Sequence, residues 1–458
     1  MKISKYPRIG FISTDFHTTP SLYQGSRKKE EPLDILYAIA TCKKYGECRL
    51  VNLWETESDC IFAKSSDILV LSTTNSYLQW NNHPLGLENF LIQWRKVKEV
   101  FGTRPLPKII VFGPHVAAHW KELLALGIDS VILGEAEFSI SIAVSRLIED
   151  QPLDDIDGLM TSPSQDRAYP AIVRSLNELP RIAYEETIGV NYAAHNHPNM
   201  SKFGHLYEGS RGCPYQCSFC NTITHRSKYR TKHPSKVEEE LKWLASHSRK
   251  DYVYFIDESF GANDDWAFDV LERLEKIPLQ FGCQSNLSFL SDEKIRRFQK
   301  AKFISLEFGL ETGNESILRK IGKDNRLESA AEHINNMAKL GLNPLMFILF
   351  GLPNETKETI SKTMRFLSKL DNRVRVSVTL PTPYIDTQLY KQGINQGLIK
   401  VGDKGNALYQ YTGLIGNKLC YDRRYVDKFR STFGPNSCLS SDYIDLLEKN
   451  LTKLFNLS

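Results

Sequence analysis

Three cysteines stand within eight residues, Cys213, Cys217 and Cys220, in the stretch CPYQCSFC. Thiolates are soft ligands, suited to zinc and to iron–sulfur clusters. A structural zinc site closes its tetrahedron with four protein ligands. His225, five residues beyond Cys220, could supply the fourth. A disulfide pair beside a free thiol would use the same residues. Without a fourth protein ligand, one metal position stays open, and an open iron can bind and activate another molecule.

The elements that must carry this loop are legible as apolar runs alternating with amphipathic segments. From residue 201 to 390 we read strands at 206–209, 252–256, 279–284, 303–310, 345–350 and 374–380. Helices fall between them at 235–247, 264–276, 292–301, 327–340 and 355–370. Six β/α units in this length fit a partial barrel, smaller than the eightfold barrel of about 250 residues. Catalytic groups of such barrels lie at the strand carboxyl ends. There the sequence places Asp257, Glu258, Glu311 and the turn Gly351-Leu352-Pro353.

Residues 1–150 show the same alternation, with strands at 8–13, 48–54, 67–72, 108–112 and 130–133 and helices at 32–44, 87–100 and 119–126. Continuous Val/Ile/Leu runs separated by helices predict a parallel sheet covered on both faces, a doubly wound α/β domain. Ligands of such sheets sit at the strand carboxyl ends. Those ends read Ser72-Thr73-Thr74, Gly113-Pro114-His115 and Gly134-Glu135. Residues 151–200 read as a connector with a small hairpin near Gly158, and His195 and His197 as linker residues. Residues 391–458 read as a small, mainly helical cap over the barrel mouth, with helices at 425–433 and 441–455.

Composition narrows the function. The chain has 458 residues, 41% hydrophobic and 24% charged, with a net charge of +4. That length suggests roughly two to three domains. A small, scattered positive charge gives no basic stripe for nucleic acid. The run Arg27-Lys28-Lys29 is followed at once by Glu30-Glu31 and reads as a solvated loop. Nine cysteines, six of them dispersed, suit a reducing compartment. The N-terminus has no apolar signal core, and no apolar run approaches the ~20 residues of a membrane span. The expectation is a cytoplasmic protein.

The Cys-x3-Cys-x2-Cys spacing, with aromatic Phe219 before the third cysteine, resembles the radical S-adenosylmethionine (SAM) superfamily. The resemblance implies a [4Fe–4S] cluster on Cys213, Cys217 and Cys220. Its fourth iron would chelate the amino and carboxylate groups of SAM, with Phe219 near the adenine. It further implies the methionyl group near Asp257 and Glu258, and Glu311 beside the methionyl amine or ribose. Adenine would lie on 346–353, including Phe350 and Gly351. The SLEFGLETGN stretch at 305–314 resembles the fourth-strand motif of the family, and 378–390 its sixth-strand end. One departure is at Cys283-Gln284-Ser285-Asn286, where many cobalamin-linked relatives carry an arginine.

The N-terminal strand ends resemble the cobalamin-binding domain that precedes many radical SAM cores. On that resemblance Ser72, Thr74, Gly113, Pro114, Gly134 and Glu135 would surround the cofactor's nucleotide tail. Asp15 and His17 stand where some cobalamin proteins place a cobalt ligand and its partner. Pro20 breaks that pattern, and we expect His17 to be a polar loop residue. The resemblance implies reductive cleavage of SAM to a 5′-deoxyadenosyl radical, then methylation of an unactivated carbon in a small metabolite. The alternative is radical chemistry without methyl transfer, a dehydration, rearrangement or cyclisation, with the N-terminal domain empty. Either needs an electron donor such as flavodoxin or ferredoxin. A zinc-stapled scaffold is the third reading.

Overall fold

The computed structural model describes residues 3–14, 30–74, 87–199, 201–220, 228–323, 327–349, 352–354, 356–379, 381 and 384–397. The chain divides into two compact units, the first running through Tyr192 and the second beginning at Ala193.

In the first unit β1 (Arg8–Ser13), α1 (Leu33–Cys42), β2 (Glu47–Leu50), α2 (Glu57–Lys64), β3 (Ile68–Ser72) and α3 (Glu88–Phe101) follow one another. Then come β4 (Lys108–Phe112), α4 (Val116–Ala125), β5 (Ser130–Ile132), α5 (Glu137–Ile148) and β6 (Leu159–Met160). The sheet order is β2-β1-β3-β4-β5-β6. All pairs are parallel except β5–β6. Both faces are covered, so β3 is buried at every position; this explains its unbroken ILVLS run. A core of Phe90, Trp94 and Val97 from α3 packs with Leu69, Leu71 and Val111.

Two helices escaped the sequence reading. α2 has a polar exterior and is announced only by its cap, the Thr56 hydroxyl accepting from the Asp59 N–H. α5 begins in a serine-rich stretch, and its serines are consumed in packing: Ser141 Oγ donates to the Thr41 carbonyl at 3.1 Å. Residues 151–192 also belong to the first unit. Beyond β6, Ala171 bridges to Gly134, and the Thr187 hydroxyl donates to buried Glu31 at 2.7 Å.

The second unit contains β7 (His205–Tyr207), the hairpin β8 (Ser210–Arg211) and β9 (Arg230–Thr231), α6 (Pro234–His247), β10 (Tyr252–Phe255) and α7 (Asp264–Leu274). It continues with β11 (Gln280–Ser285), α8 (Asp292–Lys300), β12 (Phe303–Glu311), α9 (Glu315–Lys320) and α10 (Leu327–Lys339). The last described elements are β13 (Pro344–Leu349), α11 (Lys357–Leu367), β14 (Arg375–Thr379) and α12 (Gln388–Asn395). Six strands form one parallel sheet in the order β14-β13-β12-β11-β10-β7, the partial barrel that the sequence predicts. Its outer layer is aromatic: Phe255 packs on Phe260, Phe281 and Phe303. α9 and the β8–β9 hairpin were not foreseen. The helices expected at 425–433 and 441–455 lie outside the described residues.

Candidate functional site

The three cysteines follow a limb that leaves β7 and is fixed at nearly every residue. Glu208 and Arg211 are both buried and meet as a fork, Arg211 Nε to Oε1 at 3.0 Å and Nη2 to Oε2 at 2.7 Å. Burying two charges is costly unless the geometry is good and the hydrogen bonds are made; a bidentate pair meets that condition. The end of β10 supplies two further anchors. Asp257 accepts from the Gly209 N–H at 2.8 Å and the Ser210 hydroxyl at 2.5 Å, and Glu258 accepts from the Gly212 N–H at 2.8 Å. Burial is the dominant effect on Asp257 and pushes its carboxyl up to about 8, against the lowering by those two hydrogen bonds. Gly212 has φ 84°, a left-handed conformation that glycine takes without strain.

Beyond Cys213 the loop is held from two other elements. The Ser218 N–H donates to the Ile321 carbonyl at 3.0 Å, and the Leu389 N–H donates to the Ser218 carbonyl at 2.9 Å. Gly322 sits beneath: a Cβ there would lie 2.8 Å from the Gln216 carbonyl oxygen. Cys217 is buried while Cys213 and Cys220 are partly exposed. Burial pushes the Cys213 thiol up to about 11 and the Cys217 thiol up to about 12, and each is raised further by Cys220. Phe219 packs against Ile317, Leu318, Ile321, Leu349 and Leu352, from α9 and the end of β13.

Among the described residues no three His, Cys, Asp or Glu side chains converge as ligands of a single ion. A four-iron cube asks for something different, since each thiolate binds its own iron. Three thiols on one short loop, close enough to perturb one another's ionisation, fit that requirement.

Glu311 ends β12 and has φ 67°, which is strained for a residue with a side chain. A bulge between Gly309 and Glu311 shifts the register against β13. The carboxylate meets Lys323, Nζ to Oε1 at 2.6 Å, and the same ammonium donates to the Gly309 carbonyl at 2.7 Å. Both side chains are buried. Burial alone would lower the Lys323 ammonium; the Glu311 carboxylate and the Cys217 thiol more than offset it, and the net shift is upward. Gly309 leaves the space, because a Cβ there would lie 2.1 Å from Glu311 Oε1. Sequence reasoning missed Lys323. Its signal was the N-cap Asn314 starting the short helix that turns the chain back to the strand end.

Deeper in the sheet, Glu307 is buried beside Tyr254, and Asn196 Nδ2 donates to its Oε1. Tyr252 donates from its hydroxyl to the His195 carbonyl at 2.8 Å. The residues read as linker, 195–197, thus pack on β10 and β12. Cys283 is fully buried.

In the first unit Ser72, Thr73 and Thr74 are fully buried at the end of β3. Among the described residues the Ser72 hydroxyl has no hydrogen-bond partner. Gly113 has φ 119°, and a Cβ there would lie 2.6 Å from Thr73 Oγ1. Pro114 follows it and precedes α4. A buried hydroxyl without a partner, beside backbone kept bare by glycine, suits a ligand with polar groups. Gly134 and Glu135 are engaged otherwise. A Cβ on Gly134 would lie 2.4 Å from the Ala171 carbonyl oxygen, and the Glu135 carboxylate accepts from the Val173 N–H at 2.8 Å. Asp15, His17, His225, Phe350 and Gly351 lie outside the described residues.

Residues 207–367 match the model of the Radical SAM superfamily, so the second unit carries a radical SAM domain. An uncharacterized methyltransferase of Pyrococcus horikoshii is 26% identical over 300 residues, covering 64% of each chain. This chain therefore spans less than two thirds of that relative's length. The radical SAM methyltransferase TsrM from Kitasatospora setae, solved with cobalamin and a [4Fe–4S] cluster bound, superposes with a TM-score of 0.62 at 16% identity, covering 85% of this chain and 75% of that one. The cobalamin-dependent SAM radical enzyme OxsB, solved with aqua-cobalamin, gives 0.64 at 15% identity over 88% of this chain and 58% of that one. These structures share the fold of both units.

Proposed function

We propose that this radical SAM protein is a cobalamin-dependent methyltransferase acting on an unactivated carbon of a small metabolite. The observation that carries the reading is the pairing, in one chain, of the three-cysteine loop with a cluster of buried Ser/Thr side chains and a bare glycine at the strand ends of the preceding parallel sheet. The methyltransferase descriptions of the Pyrococcus relative and of TsrM support it.

The chemistry supplied by the bound cofactors would be one-electron cleavage of a carbon–sulfur bond and a transferable methyl group. The chain's own work is positioning. Cys213, Cys217 and Cys220 would hold the cluster. Glu311, oriented by its contact with Lys323, would meet the methionyl amine or the ribose. Phe219 and the apolar patch under it would face the adenine. Ser72, Thr73, Thr74 and Gly113 would receive the cobalamin tail, the Ser72 hydroxyl gaining there the partner it lacks. The electron would come from a flavodoxin- or ferredoxin-class donor.

One observation favours the alternative of radical chemistry without methyl transfer. Gly134 and Glu135, which a cobalamin tail would need in part, are engaged by residues 171–173. Anaerobic reconstitution with iron, sulfide and cobalamin separates the readings. We expect about four irons per chain and cobalamin absorption that survives gel filtration. Iron without cobalamin would select the alternative; zinc without iron would refute both.

A further inference from the structure

Two consecutive carboxylates follow the end of β10, and the structure spends both on the limb that leads into Cys213. The two acids reach different points of that limb. Asp257 takes the Gly209 N–H and the Ser210 hydroxyl, and Glu258 takes the Gly212 N–H. Asp257 is 1% exposed and has both oxygens engaged, so it is not free to meet a ligand's amino group. The limb itself has little slack. A Cβ on Gly209 would lie 3.2 Å from the Phe255 ring and 3.3 Å from Trp266, and Gly212 is left-handed. The conformation between β8 and the first cysteine therefore depends on these bonds.

We propose that Asp257 is a positioning residue for the cluster. It holds limb 209–212 so that Cys213 is presented at a fixed place, and it acts through that limb without touching SAM. The proposal rests on the radical SAM reading. Partners behind metal ligands commonly change metal affinity 10–100-fold when removed. Among the described residues, the ionisable groups that face the Asp257 carboxyl include Glu208 on the limb, its neighbour Glu258, Tyr229 before β9 and Cys283 on β11. With its carboxyl raised to about 8, Asp257 is protonated at neutral pH, and asparagine is its near-isostere.

The test uses the reconstituted full chain with Asp257→Asn, Asp257→Ala and Ser210→Ala. We expect Asp257→Ala to lose iron to a chelator about 10–100-fold faster than wild type, and Ser210→Ala to lose it faster by a smaller factor. Asp257→Asn should keep its iron and bind SAM within about twofold of wild type. Its cluster midpoint potential should stay flat between about pH 7 and 9, where that of wild type falls as the carboxyl ionises. Iron loss at the wild-type rate in both Asp257→Ala and Ser210→Ala would overturn the proposal. So would an Asp257→Asn protein with full iron, a wild-type potential profile and tenfold weaker SAM binding, which would make Asp257 a ligand contact. A wild-type chain that takes up no iron at all would overturn the underlying reading instead. If Asp257→Ala fails to fold, the Ser210→Ala rate and the Asp257→Asn potential decide.

Discussion

Replacing Lys323 by methionine keeps an unbranched side chain, one atom shorter, and removes its charge. The side chains of Lys323 and Glu311 are only 9% and 8% exposed, and their contact is 2.6 Å. The variant strands a buried carboxylate and takes from the Gly309 carbonyl its 2.7 Å donor. Breaking one side of a buried ion pair costs about 3–5 kcal/mol, and the lost carbonyl bond adds about 1 kcal/mol. For a domain of this size each kcal/mol lowers the melting temperature by about 2–4 °C. Lys323→Met should therefore lower the transition of the second unit by about 10 °C in calorimetry of the cluster-free protein. Glu311→Gln alone should cost less, because the amide oxygen still accepts from the ammonium. The double variant Lys323→Met/Glu311→Gln buries no charge and should be about 2 kcal/mol more stable than the sum of the single losses predicts. A Lys323→Met transition within about 1 °C of wild type, or additive losses in the double variant, would refute the argument that the pair is buried and coupled.

Three more outcomes follow from the same geometry. Alanine at Cys213, Cys217 or Cys220 should each reduce bound iron from about four per chain to a small fraction; full iron in any one variant would remove that cysteine from the ligand set. Ser72→Ala deletes a buried hydroxyl that has no partner among the described residues, so the cofactor-free protein should be no less stable. Its affinity for cobalamin should fall about tenfold, the equivalent of one hydrogen bond; equilibrium dialysis measures this, and unchanged affinity would take Ser72 out of the site. Asp257 gives a pH dependence. Its carboxyl is near 8 when folded and near ~3.9 when unfolded, so the folded state binds the proton more tightly. Its stabilising contribution relative to asparagine is full below about pH 4. It is lost as pH rises toward 8, at about 1.4 kcal/mol per pH unit inside that window. Melting temperatures of wild type and Asp257→Asn should diverge steadily from pH 5 to about 7.5; parallel curves would mean the acid is ionised throughout.

The sequence alone determined what local pattern can encode. Strands buried at all or nearly all positions, such as β3 and β13, must be continuous apolar runs, so the two parallel sheets could be read off with their order of elements. The cysteine loop was legible because its chemistry is compressed into eight residues. Cap-defined helices such as α2 and α9 were not, since one Thr or Asn signals them and their hydrophobic periods are short. What only the tertiary structure decided concerns which groups meet. Asp257 and Glu258 looked free at a strand end, yet a limb nearly fifty residues earlier in the chain takes up their lone pairs. Lys323 carried no motif and became a partner of Glu311 because α9 folds back across the strand end. Gly134 and Glu135 were read as ligand contacts, and residues 171–173 of the apparent connector pack against them. In each case the deciding contact joins segments far apart in the chain. Spacing within one segment records the periodicity of an element; it holds no record of which distant backbone N–H a buried carboxylate will find.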